Sequence, residues 1–137
     1  MRKSGFTLLE IIIVIIIVGV LASLALPRFF ATVEFSRSTE ALTSFAAIRQ
    51  SLERCYNANG GKYTGCGDFN NLDLENPATS PGAHFTYTFV PIPTDDTYTI
   101  QATRNTRDGG AITSWLRLAQ DTNGVTRTGS GAFRGIK

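Results

Sequence analysis

Apolar residues run almost unbroken from Phe6 to Leu26, thin into a helical stripe beyond Pro27, and then give way to short alternating segments. The first stretch holds about 21 residues and one charge, Glu10. At 1.5 Å per residue it makes a helix of about 32 Å, enough to cross the hydrocarbon core of a bilayer. Ile and Val are middling helix formers in water, but lipid leaves the backbone no other partner. A carboxylate within such a span costs roughly 2.5–3.5 kcal/mol, which marks Glu10 as a candidate functional residue. Gly19 is a weak point in the helix. Pro27 lacks an N–H, so the bond to the carbonyl of Ser23 is lost and a kink is expected. No Gly or Pro follows between Arg28 and Asn59, so the helix should resume instead of stopping there.

Residues 28–57 read as an amphipathic helix. Phe35, Leu42, Phe45, Leu52 and Tyr56 recur at helical spacing, Ala41, Ile48 and Cys55 widen the stripe, and Glu34, Arg37, Glu40, Arg49, Glu53 and Arg54 lie mostly off it. A helix from Phe6 to about Asn57 is roughly 78 Å long, more than so small a domain can cover. Its first half needs lipid or other copies of the chain, while its second half can bury a stripe under a sheet. Asn57 to Gly61 ends it, with Gly60 or Gly61 available for a left-handed cap.

A loop rich in Gly, Asn, Asp and Pro occupies 58–84. Strand candidates follow at Phe85–Val90, Thr97–Thr103 and Ile112–Ala119, each alternating with period two and rich in β-branched and aromatic residues. In the second, Tyr98, Ile100 and Ala102 share a face; in the third, Ile112, Leu116 and Leu118 oppose Trp115 and Arg117. Turns are expected at 91–96 and 105–110, and Asn123-Gly124 makes another, with a short strand Val125–Thr128 beyond it. Gly129-Ser130-Gly131 then loosens into a C-terminal tail. The fold class is α+β: a long kinked N-terminal helix and a small antiparallel sheet, 85–128, packed on its amphipathic half.

Lys+Arg 13 against Asp+Glu 11 gives +2, and without Arg2 and Lys3 the side chains balance. That argues against a nucleic-acid site and suits subunits packed densely beside their own copies. Arg2 and Lys3 hold the N-terminus in the cytoplasm by the positive-inside rule, which places Cys55 and Cys66 outside. A Cys55–Cys66 disulfide is favoured there over a zinc site or a reactive thiol. Closing that loop is worth on the order of 3 kcal/mol in the entropy model.

The leader Met1–Gly5 reads as a processing segment. The run Lys3-Ser4-Gly5-Phe6-Thr7-Leu8-Leu9-Glu10, followed by the apolar stretch, resembles the prepilin signature of type IV pilins and the related pseudopilins. Gly19 and Pro27 fall where that family commonly marks its helix. The close match covers about residues 1–30. It implies cleavage between Gly5 and Phe6 by a membrane prepilin peptidase that also methylates the new amine of Phe6. It further implies an inner-membrane precursor with a cytoplasmic N-terminus, an inner-membrane assembly platform as partner, and polymerisation with copies of itself into a surface filament. Glu10 is then expected to pair with the Phe6 amine of a neighbour and set the register between subunits, since a lone carboxylate in a dry bundle is costly. The simpler reading leaves Glu10 at headgroup level, favoured by the helix dipole by roughly 0.3–1 kcal/mol.

Catalysis has little to work with, and no enzyme or cofactor is expected. His84 stands alone in a Pro/Gly loop, and no Ser or Cys nucleophile has a plausible triad. Asp121-Thr122-Asn123-Gly124 resembles the start of a calcium loop but lacks the later acidic ligand, so it reads as a turn. Within the family the signature fits a pilus subunit, a minor pilin or a type II secretion pseudopilin alike; the absence of a Trp- and Pro-rich C-terminus favours the first. A different class is a monomeric binding domain tethered outside the membrane by an uncleaved helix. An ordinary signal cut after Ser23-Leu24-Ala25 is opposed by Glu10 and by the helical pattern continuing past Ala25. Adhesion, twitching, DNA uptake and secretion filaments share this N-terminus, so the loop at 60–84 and the strand turns should carry the difference.

Overall fold

The computed structural model describes residues 5–136. The basic leader residues Arg2 and Lys3 therefore lie outside the described residues. The chain divides into two compact units, Met1–Val33 and Glu34–Lys137, which the helix α1 (Leu8–Ala58) joins in sequence.

In the first unit the helix buries nothing. Ile11, Ile12, Ile13, Val14, Ile15, Ile16, Ile17 and their neighbours are all exposed. By length and composition this helix can cross a membrane. The helix continues through Pro27, as the absence of breakers beyond it predicts.

In the second unit the helix ends as its sequence dictates. Gly60 takes a left-handed φ of 67°, and Gly61 N donates to Tyr56 O at 2.9 Å, so an otherwise orphaned carbonyl is satisfied. Ala41, Phe45, Ile48 and Leu52 form the buried stripe, with Leu42, Cys55 and Tyr56 packed beside it. Phe35 is the exception: it was expected on the stripe and is 55% exposed. Ser38 takes the buried position instead, its hydroxyl donating to Phe35 O within the helix.

Four antiparallel strands follow in the order β1-β2-β3-β4: β1 Phe85–Phe89, β2 Tyr98–Arg104, β3 Trp115–Asp121 and β4 Gly124–Ser130. In register, Tyr87 faces Ala102, Ala102 faces Leu116 and Leu118 faces Arg127. Tyr98, Ile100, Ala102, Leu116 and Leu118 point into the core, as their parity predicts. The third strand starts later than expected, because Ile112 sits in the preceding turn and is 65% exposed.

The C-terminus also departs from the expected loose tail. β4 runs to Ser130, a 3-10 turn Gly131–Phe133 folds back, and Phe133 is fully buried against Phe85. Gly129 is what admits it: a Cβ there would collide with the backbone of Phe133. A glycine read as loosening the chain is a site of close packing.

Candidate functional site

The start of α1 is built by four consecutive residues, Thr7-Leu8-Leu9-Glu10. Thr7 N donates to Glu10 Oε2 at 2.9 Å, Thr7 Oγ1 donates to the same oxygen at 3.0 Å, and Glu10 N donates to Thr7 Oγ1 at 3.3 Å. This is a capping box, in which the N-cap hydroxyl and the carboxylate three residues on satisfy each other's orphan backbone donors. The sequence carried that signal as Thr-x-x-Glu before an apolar run, and the reading of Glu10 as an assembly charge passed over it. Glu10 Oε1 has no partner among the described residues.

Gly5 and Phe6 precede the cap and are exposed, Phe6 at 83%. A Cβ on Gly5 would meet nothing within 4 Å, and the same holds at Gly19. Neither glycine takes the left-handed backbone that would require it. Nothing within the described chain demands glycine at either place, although glycine within a helix costs about 1 kcal/mol relative to alanine.

Cys55 and Cys66 form a disulfide with their Cα atoms 6.1 Å apart, tying the last turns of α1 to the loop that follows. The same loop is held a second time by Asp73. Arg54 Nη2 donates to Asp73 Oδ1 at 2.9 Å, and Ser51 Oγ and Arg54 Nε each donate to its carboxylate at 2.5 Å. The Arg54 guanidinium and the Ser51 hydroxyl lower the Asp73 carboxyl to about 2.

A charged cluster that the sequence reading missed joins the helix to the sheet. Arg104 continues the inward face of β2 and is fully buried. Its Nε and Nη2 grip Glu34 at 3.0 and 3.2 Å, and its remaining donors go to the carbonyls of His84, Asn105 and Arg107. Arg104, ahead of desolvation, holds the Glu34 carboxyl below its usual value. His84 is far from alone. Its Nδ1 lies 2.8 Å from Glu40 Oε2 and its Nε2 3.0 Å from Asp108 Oδ2. Asp108 occupies a left-handed φ of 51°, which turns its carboxylate to His84, and Arg37 stands 3.7 Å off. Both ring nitrogens of His84 are engaged by carboxylates, so neither is placed to act as a base on a substrate.

Asp121 Oδ1 accepts from Asn123 N at 2.7 Å, the turn geometry expected of Asp-Thr-Asn-Gly. Among the described residues no cluster of His, Cys, Asp and Glu is arranged to hold a metal ion.

Residues 1–26 match the prokaryotic N-terminal methylation motif. The chain is 37% identical over 62 residues to a type II secretion system core protein G of Aeromonas hydrophila, covering 45% of this chain and 43% of that protein. It is 43% identical over 56 residues to a probable minor fimbrial protein of Dichelobacter nodosus, 41% of this chain and 35% of that one. It is 43% identical over 47 residues to the type IV major pilin protein PilA of Myxococcus xanthus, 34% of this chain and 21% of that one. The chain thus spans under half the length of each of these relatives. The resemblance drawn from Lys3–Glu10 is borne out, and the architecture is the α+β, type IV pilin-like one.

Proposed function

We propose that the chain is a structural subunit of a type IV pilus or pilus-like filament. It is made as an inner-membrane precursor, cut between Gly5 and Phe6, methylated at the Phe6 amine, and polymerised through its apolar helix. The observation that carries this reading is an apolar half-helix with none of its residues buried, opening on a capped carboxylate within a matched methylation motif. Burial of such a surface is worth about 25 cal/mol per Å², so it does not stay in water: lipid holds it first, and neighbouring helices after assembly. The exposed Gly5 supports the cleavage site, because its lack of a side chain makes room for nothing among the described residues and opens the backbone to a peptidase.

Glu10 serves both readings at once. Oε2 caps its own helix, and Oε1 is left to receive the methylated amine of Phe6 from the next subunit. Gly19 and Pro27 are then the helix positions that yield as copies pack, Gly19 by admitting a close neighbour and Pro27 by its missing hydrogen bond. A second reading, a type II secretion pseudopilin, is favoured by the identity with core protein G. Both readings share one mechanism of assembly.

N-terminal mass spectrometry on material sheared from the cell surface tests the proposal. A chain beginning at methylated Phe6 is expected. A chain confined to membranes and still beginning at Met1 would replace the filament with a tethered monomeric domain.

A further inference from the structure

The four strands turn one face to the core and the other to water. On the outer face, register sets Thr88, Gln101, Arg117 and Thr128 in one row across the sheet. In the row beside it, Trp115 stands between Thr103 and Ser130. Parity places the chain's single tryptophan there, away from the core that its neighbours Leu116 and Leu118 fill. Neither row holds a carboxylate. Asp121, the acidic residue of the same parity on β3, lies about 13 Å along the strand from Arg117 and accepts from Asn123 N.

A water-facing sheet surface is polar as a rule, and polarity alone assigns it nothing. This surface is also organised. Arg117 Nε donates to Gln101 Oε1 at 2.6 Å, and Gln101 Nε2 donates to Thr103 Oγ1 at 2.9 Å. The Arg117 guanidinium stands 4.4 Å from the centroid of the Trp115 ring, a cation–π contact. Indole, guanidinium, amide and hydroxyl thus hold one another in place, which leaves little side-chain entropy to lose on binding. Among the described residues Arg117 has no carboxylate partner, and its two terminal nitrogens make no hydrogen bond. Both Trp115 and Arg117 are partly exposed.

We propose that this face binds an acidic polysaccharide, a sugar ring stacking on Trp115 while its carboxylate meets Arg117. Three features select that chemistry. The negative face of the indole attracts the slightly positive C–H groups on one side of a sugar ring. The unpaired guanidinium can take a carboxylate in two parallel hydrogen bonds. The flanking hydroxyls of Thr103, Thr128 and Ser130 donate and accept, as sugar hydroxyls do. An acidic peptide fits less well, because beyond Trp115 the two rows offer its apolar side chains no cover. The site is complete on one chain, so it goes beyond the filament reading and needs no second copy.

The test titrates the full chain, held in a detergent without a sugar head group, with oligogalacturonate. Its readout is indole fluorescence, which Trp115 alone supplies. A saturable change is expected, and Arg117→Gln should raise the half-saturating concentration about tenfold. Uncharged dextran oligomers should bind about tenfold more weakly than oligogalacturonate and be indifferent to Arg117→Gln. Trp115→Ala, followed by retention on polygalacturonate-coated beads, should lose binding at an unchanged urea midpoint. Arg127→Gln removes a cation of the opposite parity, opposite Leu118, and should bind as wild type does. No saturable change, or wild-type affinity in Arg117→Gln, would overturn the site. So would equal loss in Arg127→Gln or an equal response to polyglutamate, since either means attraction by charge alone. The assay needs no filament, so its outcome is separate from that of N-terminal mass spectrometry on sheared material.

Discussion

At Glu10 the cap engages one carboxylate oxygen, whereas the charge belongs to the whole group, so two substitutions separate them. Thr7→Val removes the hydroxyl that serves Glu10 N and leaves the carboxylate in place. It should cost the helix start about 1 kcal/mol, seen as faster amide exchange at Leu9 and Glu10, while filaments persist. Glu10→Gln keeps an acceptor for Thr7 and loses the charge. Processing should continue and filament yield should collapse; sheared pili at wild-type amounts from that variant would remove the pairing role. Arg104 poses the opposite case, a charge whose partners are all internal. Arg104→Met leaves Glu34 with Arg37, 2.7 Å away, but strips the carbonyls of His84, Asn105 and Arg107 of their shared donor, and should cost about 3–5 kcal/mol in urea unfolding of the detergent-solubilised chain. Glu34→Gln leaves the fully buried guanidinium without its carboxylate and should cost as much, even though its hydrogen bonds to the carbonyls of His84, Asn105 and Arg107 remain.

The elements divide by how much of their reason is local. The helix and its stripe were legible from spacing alone, because a helix with one face under a sheet writes that face every three or four residues. Tyr98, Ile100 and Ala102 were legible from period two, and the same parity pointed inward at Arg104; residue type overrode it, since a charged side chain is seldom placed in a core. Thr-x-x-Glu was legible too, but the family meaning of Glu10 drew attention from its local one. What was not legible depends on partners distant in sequence: His84 between Glu40 and Asp108, and Phe133 admitted by Gly129.

The loop after α1 shows how local and distant restraints combine, since the Cys55–Cys66 disulfide and Asp73 bind it to the same helix. Replacing both cysteines with serine should cost on the order of 3 kcal/mol. Asp73 adds a pH-dependent share. Its folded value, about 2, lies below that of an unfolded aspartate, so its contribution is complete above about pH 4 and is lost as the pH falls through about 2. Asp95, lowered by Lys62 and Thr64, follows the same sign. The difference in urea midpoint between wild type and Asp73→Asn should therefore shrink on going from pH 6 toward pH 2; a constant gap would mean the restraint is not ionic.

At the scale of the molecule, the buried core falls on one of the two units. Every buried residue of the core cluster belongs to Glu34–Lys137, whereas the apolar stretch of the first unit buries none of its residues. A substitution in the first unit should therefore leave the globular unit's unfolding unchanged. Pro27→Ala removes a helix breaker worth about 3 kcal/mol to the local helix and should move the detergent unfolding midpoint of the globular unit by no more than about 0.5 kcal/mol equivalent. Ile100→Ala, which empties a fully buried site, should cost about 2–5 kcal/mol by the same assay. The filament assay should rank the pair the other way if the helix positions act in packing: Pro27→Ala and Gly19→Leu lower yield from a fully stable subunit, because their partners are other copies of the chain. A Pro27→Ala midpoint shift as large as that of Ile100→Ala would mean that the two units share a core, and the separation of folding from assembly would fail with it.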